Sequence, residues 1–273
     1  MQGSVDARSR SRQRVEGQRE HLVGQRPPPP TRRCLCHHPA VVEEWADLRV
    51  MVDDIVRAGA AEEYWWSDPD MRALLHGLAS DDPQSVTMGL SYLWGPFIEC
   101  PNVFRPTVPA VRYVLALLGR QAGDDTKIRS PHGRLRPLRG HLLTWLGYVA
   151  DEVGDVRVRE FVELAGFSPL ESPTSAWHAV RELRPQMYDA AAAFLDDPHP
   201  GVRLEAIAAA VVLVRVPELA VHRPHIAATA RAFLDACTDP VRKRWAVEAF
   251  HEMGSAYVAD QPVPTQPASD RIH

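Results

Sequence analysis

The sequence lacks the motifs that usually identify an enzyme. Its 273 residues contain no phosphate-binding glycine loop, no dinucleotide-binding glycine fingerprint, no His-Glu-x-x-His zinc helix and no Gly-x-Ser-x-Gly nucleophile elbow. The sequence therefore predicts no catalytic residue and no cofactor, and it favours a non-enzymatic protein.

Long apolar runs are also missing. The longest is the nine-residue run from Ala206 to Val214, whereas a membrane-spanning helix needs about 20 apolar residues. No apolar signal-peptide core precedes residue 40. The four cysteines are too few and too scattered for a disulfide framework; they are Cys34, Cys36, Cys100 and Cys237. We therefore expect a cytoplasmic protein that does not bind a membrane.

One short stretch contains residue types that bind zinc, namely Cys34, Cys36, His37 and His38. Neighbouring residues cannot all reach one tetrahedral ion, and no second Cys/His pair follows at zinc-finger spacing. The sequence therefore predicts no metal site.

Lysine is nearly absent. Lys127 and Lys243 are the only lysines, so 29 of the 31 basic residues are arginines (31 − 2 = 29). With the richness in alanine, this bias is typical of a GC-rich bacterial genome. Residues 1–40 have a net charge of +5 (8 Arg − 3 acids), and residues 41–273 have a net charge of −9 (23 basic − 32 acidic). A negative folded part disfavours a general nucleic-acid-binding protein.

Composition divides the chain into three parts. Residues 1–40 are rich in Arg, include Pro27 to Pro30 and show almost no hydrophobic periodicity, so we expect a disordered N-terminal extension. Met51 is an alternative start, which leaves open whether that extension belongs to the functional protein. Residues 259–273 predict a flexible C-terminal tail, and residues 41–258 predict one folded domain.

Hydrophobic residues between these ends recur at helical spacing, and no stretch alternates for long enough to predict a sheet. Two kinds of helix start are marked. An aspartate before a proline can cap the first turn, and it occurs at Asp82, Asp197 and Asp239. An Arg-Pro pair occurs at Arg105, Arg184 and Arg223. The two signals alternate with a period of about 40 residues, which predicts stacked helical hairpins.

The stretches from Asp197-Pro198 to Val214 and from Asp239-Pro240 to Phe250 resemble the HEAT-repeat family. The resemblance covers about residues 68–254. It implies an all-α fold, a right-handed superhelix of about five hairpins. It also implies a ladder of side chains between neighbouring repeats, formed here by Asp197, Arg203, Asp239 and Arg242.

A shorter stretch, Leu90 to Leu118, resembles a segment of bacterial HEAT-like proteins. The residues that carry this resemblance are Asn102-Val103-Phe104, Pro106-Thr107 and Ala110-Val111. Such relatives include regulators and immunity proteins of toxin systems, and the resemblance implies a role of that type.

Aromatic and basic residues on the second helices are candidate anchors for a partner. His141, Trp145 and Tyr148 share one face of a predicted helix over residues 138–150, and Arg244 and Trp245 lie on a later helix. An aromatic strip of this kind is either a binding surface or packing between repeats.

A basic run without any acidic residue is the candidate anion-binding site. It comprises Lys127, Arg129, Arg134, Arg136 and Arg139. The alternative interpretation is a solvated loop.

Stacked hairpins leave a broad curved surface, so we expect a scaffold or regulator that binds a protein on the face lined by the second helices. The alternative is a DNA-binding HEAT-like protein related to alkylpurine DNA glycosylases. Such enzymes combine a basic groove with aromatic residues and a carboxylate, which the basic run, Trp145 and Asp151 resemble. The net charge of the folded part disfavours this alternative.

Overall fold

The computed structural model describes residues 48–62, 70–97, 103–120, 125–130, 133–236, 240 and 243–247, which lie in one compact unit, Glu44–His273. The predicted all-α class is confirmed in that most of these residues are helical. The α-helices are α1 (Leu48–Ala60), α2 (Met71–Gly77), α3 (Pro83–Trp94), α4 (Thr107–Arg120), α5 (Leu138–Glu152), α6 (Asp155–Ala165), α7 (Ala176–Glu182), α8 (Arg184–Ala192), α9 (Pro200–Leu213) and α10 (Arg223–Ala236). A 3₁₀ helix spans Pro217–His222, and residues 243–247 are helical. The predicted extension 1–40 and tail 259–273 lie outside the described residues.

A short β-hairpin corrects the expectation that the chain contains no sheet. Strands β1 (Lys127–Arg129) and β2 (Leu135–Pro137) pair antiparallel, with Ile128 opposite Arg136. Gly133 has a φ of 76°, a left-handed conformation that glycine adopts without strain, and it closes the turn. Strands of three residues are too short for an alternating pattern to be visible in the sequence.

Local capping chemistry sets several helix starts. The Asp82 carboxylate accepts the Ser85 backbone N–H at 2.8 Å, and α3 begins at Pro83 as predicted. The helices α8 and α10 begin at the predicted residues Arg184 and Arg223. Asp197 does not cap α9; instead, His199 Nδ1 accepts the Gly201 N–H at 3.2 Å.

The helices α5 and α9 pack side by side and parallel. A Cβ placed on Gly140 would lie 3.6 Å from Val202 Cγ2, and one placed on Gly147 would lie 3.3 Å from Ala209 Cα. Both contacting pairs are 62 residues apart in the sequence (202 − 140 and 209 − 147), so the two helices run in the same direction. The apolar run from Ala206 to Val214 is buried throughout, as expected for a helix with neighbours on several sides.

The helices α2 and α3 also cross closely, at a glycine. A Cβ placed on Gly89 would lie 2.4 Å from the carbonyl oxygen of Leu74 and 2.9 Å from Leu78 Cγ. Only the absence of a side chain at Gly89 permits this approach. The Tyr113 hydroxyl on α4 donates a hydrogen bond to the Leu75 carbonyl, which joins this pair to α4.

Candidate interaction surfaces

The structure places the predicted aromatic strip inside the protein. The side chain of Trp145 is fully buried, and its indole N–H donates to the Leu93 carbonyl at 2.9 Å. His141 is also buried, and its Nε2 lies 2.9 Å from the Ile128 carbonyl oxygen. Neither side chain can anchor a partner in this conformation. The packing interpretation of the strip is therefore the one that the structure supports.

Tyr148 and Trp245 extend this packing across further helices. The ring of Tyr148 is half-buried and contacts Trp94 and Trp245 edge to face, with centroids 5.1 Å and 4.8 Å apart. Trp245 is only 2% exposed. Of the predicted partner-binding residues, Arg244 alone is exposed. A strip at helical spacing on an inner helix becomes core when helices pack on both sides of it.

The basic run separates into buried and exposed members. Arg139 is 1% exposed, and its Nε and Nη2 donate to the two oxygens of Asp197 at 2.9 and 3.1 Å. Its Nη2 also donates to Asp125 at 2.7 Å. Burial alone would lower the pKa of Arg139, but these hydrogen bonds outweigh it and raise the pKa. Arg139 is therefore a buried structural cation, which corrects its assignment to an anion-binding surface.

Arg136 is likewise engaged inside the protein. It forms an ion pair with the buried Glu205 of α9, and Glu205 also accepts the Thr144 hydroxyl at 2.8 Å. Lys127, Arg129 and Arg134 are exposed on the hairpin. Only these three members of the run lie where an external anion can reach them.

The predicted ladder has a different partner from the one expected. Asp197 pairs with Arg139 of α5, whereas Arg203 donates to the main-chain carbonyl of Asp197 at 2.9 Å. The ion pair therefore joins α5 to the turn before α9. Asp239 and Arg242 lie outside the residues whose side chains are described.

An ionic cluster at the end of α5 was not predicted as a unit. Asp151 lies 3.5 Å from Arg215 and 3.7 Å from Arg157. Burial is the largest influence on the pKa of Asp151 and raises it, against the opposing effect of the arginines. The Trp245 side chain lowers the pKa of Asp151, although less than the arginines do. The sequence feature that could have indicated this cluster is the charged residue Arg215, which directly follows the apolar run from Ala206 to Val214.

An exposed apolar surface on α6 and the turn after it was not predicted from the sequence. None of the eleven residues of α6 is buried. Val162, Leu164 and Phe167 are 36%, 75% and 54% exposed, and we call these three residues the α6 surface. Phe161 fixes one side of it by packing against Phe167 and Trp177, with ring centroids 5.4 and 5.5 Å apart. Exposed apolar residues this close in the sequence are a candidate interaction site; Val162 and Leu164 are two residues apart on α6 and therefore point to different sides of it.

Comparisons with known proteins identify no relative: no family model, no curated protein and no solved structure matches the chain. Within the described residues, no helix is both long enough and apolar enough to cross a membrane. No group of three or more His, Cys, Asp or Glu residues in the same part of the chain is arranged to hold a metal ion. The stretch from Cys34 to His38 lies outside that part.

Proposed function

We propose that the chain is a HEAT-like α-solenoid that serves as a non-enzymatic scaffold for a protein partner. The parallel packing of α5 and α9 supports stacked layers, because equivalent helices of successive hairpins run in the same direction in a solenoid. The helices that start at Arg184, Pro200 and Arg223 follow one another as first and second helices of successive hairpins would. A crystal structure with a compact bundle and no successive layers would reject this architecture.

The α6 surface is the observation that carries the proposal of a protein partner. A monomer gains stability by burying large apolar side chains, yet Leu164 is 75% exposed on α6, a helix that buries none of its residues, and Phe167, in the turn after that helix, is 54% exposed. Aromatic and aliphatic side chains of this kind are the usual centres of protein interfaces. The proposed surface therefore lies on α6 rather than on the face of the second helices.

Cross-linked capture from the native host, followed by affinity measurement with the purified partner, tests this proposal. The double variant Leu164→Asp/Phe167→Asp should weaken binding by at least about 30-fold, a loss on the order of 2 kcal/mol for central interface residues. Val221→Asp is the matched control, since Val221 is 79% exposed but lies on the 3₁₀ helix. Equal affinity of the α6 variant and the control, or the absence of any specific partner, would contradict the proposal.

A DNA-directed function is the second candidate, and the cluster at Asp151 is what favours it. The partly buried carboxylate of Asp151 lies near Arg215 and Arg157, and the rings of Tyr148 and Trp245 contact each other close by; this combination of a carboxylate, arginines and aromatic residues is the one expected of alkylpurine DNA glycosylases. The basic run does not lie beside it. Arg139 and Asp151 stand at opposite ends of α5, about 18 Å apart at 1.5 Å per residue. Salt-sensitive binding of alkylated duplex DNA, with base release lost in Asp151→Asn, would establish this candidate; no binding would dismiss it.

A further inference from the structure

The exposed face of the β-hairpin combines cations with an apolar side chain. In β1, Lys127 and Arg129 point to solvent while Ile128 is buried, as alternation along a strand requires. Leu135 pairs with Arg129 in the register and is 56% exposed. We call Lys127, Arg129 and Leu135 the hairpin face.

The carboxylates around the hairpin face are already committed to other cations. Asp125 and Asp197 pair with Arg139, and Glu205 pairs with Arg136. The helix α3 packs against β1 and contains no charged residue. Within the described residues, no carboxylate forms an ion pair with Lys127 or Arg129. Among the residues that the structure describes, the positive charge of the face is therefore not neutralised by a neighbouring carboxylate.

The hairpin is held firmly on the protein. The Ile128 carbonyl interacts with His141 Nε2 at 2.9 Å, and Arg136 on β2 pairs with Glu205. The Ser130 N–H donates to the Arg134 carbonyl at 2.8 Å. A ligand that docks on a fixed backbone loses less free energy in ordering its site, so the hairpin face is suited to recognition.

We propose that the hairpin face docks an acidic segment of a protein partner, with an apolar residue of that segment against Leu135. This inference depends on the proposed scaffold function. Nucleic acid fits the face less well, because the hairpin exposes three cations whereas specific duplex binders make about 6–10 phosphate contacts. The net charge of −9 over residues 41–273 (23 − 32) also repels a polyanion as long as a duplex.

Fluorescence anisotropy with the full-length protein tests the proposal. The probe is a labelled synthetic peptide in which one leucine is flanked by two glutamates on each side. Lys127→Glu/Arg129→Glu should weaken its binding at least about tenfold in ~0.15 M salt. The control Arg57→Glu/Arg112→Glu changes net charge equally at exposed positions elsewhere and should change binding less than about twofold.

Two further measurements distinguish specific recognition by the hairpin face from a general effect of net charge. Leu135→Ser should weaken the leucine peptide about threefold and leave a matched glycine peptide unchanged, as expected for one buried aliphatic contact. Circular dichroism of each variant verifies that the fold is retained. The proposal is overturned if the wild type does not bind the peptide, if both charge variants weaken it equally, or if duplex DNA of equal charge binds more tightly. Loss of the partner in the α6 variant without any effect of the hairpin variant would retain the scaffold function and reject this inference alone.

Discussion

Breaking the ion pair between Arg139 and Asp197 should destabilise the fold strongly, because either partner alone would be a buried charge without its counterion. Arg139 is 1% exposed and Asp197 is 8% exposed, and two donors of the guanidinium bind the two carboxylate oxygens. Arg139→Met replaces the methylene stem of the arginine with an apolar chain of the same width but removes the guanidinium, so it leaves the buried carboxylate without its cation. Removal of one partner from a buried pair typically destabilises a protein by about 3–5 kcal/mol. We expect a loss in this range.

The double variant distinguishes pairing from a simple loss of packing. Arg139→Met/Asp197→Asn removes both charges, so its loss of stability should be smaller than the sum of the two single losses by about 1–3 kcal/mol. Lys127→Met is the matched control, because Lys127 belongs to the same basic run but is exposed. Its effect should stay within about 0.5 kcal/mol.

Urea unfolding followed by far-UV circular dichroism measures these differences. The slope of the free energy of unfolding against urea concentration should not change, so the midpoint reports stability directly. A loss below about 1 kcal/mol for Arg139→Met, or strictly additive single losses, would refute the assignment of this pair as a structural link.

Two further predictions concern a close helix crossing and the pH dependence of stability. Gly89→Ala places a Cβ 2.4 Å from the Leu74 carbonyl oxygen and should destabilise the protein by about 1–3 kcal/mol. The control Gly119→Ala meets no atom within 4 Å and should stabilise the protein by about 0.5 kcal/mol. Thermal unfolding of both variants measures the difference, and equal effects would contradict the close crossing of α2 and α3. Burial raises the pKa of Asp151, so the folded protein binds this proton more tightly than the unfolded chain does. The stability that Asp151 contributes therefore falls as the pH rises from the ordinary aspartate pKa through the raised one. Asp151→Asn should make the stability depend less on pH in this range. Hydrogen bonds from Ser85 lower the pKa of Asp82, so its contribution is present above the ordinary value and is lost as the pH falls through the lowered one. Asp82→Asn should therefore change the slope in the opposite sense, and urea midpoints between about pH 3 and 7 would expose an error in either sign.

Helix positions could be predicted where the determinant is local. The proline after Asp82 and the Arg-Pro pairs at Arg184 and Arg223 specify a first turn through a few neighbouring residues, and the helices begin there. The same rule was wrong at Asp197: its carboxylate binds Arg139, 58 residues away in the chain, and accepts the His199 N–H at 2.8 Å, while the helix begins later, at Pro200. No local pattern records that competition.

The candidate surfaces were harder to predict for the same reason. A basic run such as Lys127 to Arg139 has no property in the sequence that separates its buried members from its exposed ones. The separation depends on Glu205 and Asp197, which lie on other elements. The α6 surface was missed because its pattern of Val, Phe and Leu is that of an ordinary core helix.

The spacing between α5 and α9 has a practical consequence for engineering. Matching positions on these neighbouring helices are 62 residues apart, because α6, α7 and α8 intervene, whereas the two later Asp-Pro pairs in the sequence are 42 residues apart (239 − 197). The additional length is therefore accommodated without separating two adjacent helices. Glu171 to Thr174, all exposed, offer a permissive position where a fluorescent domain can be grafted. A graft there sits next to Phe167, and it should leave folding intact while sterically masking the apolar side chains nearby.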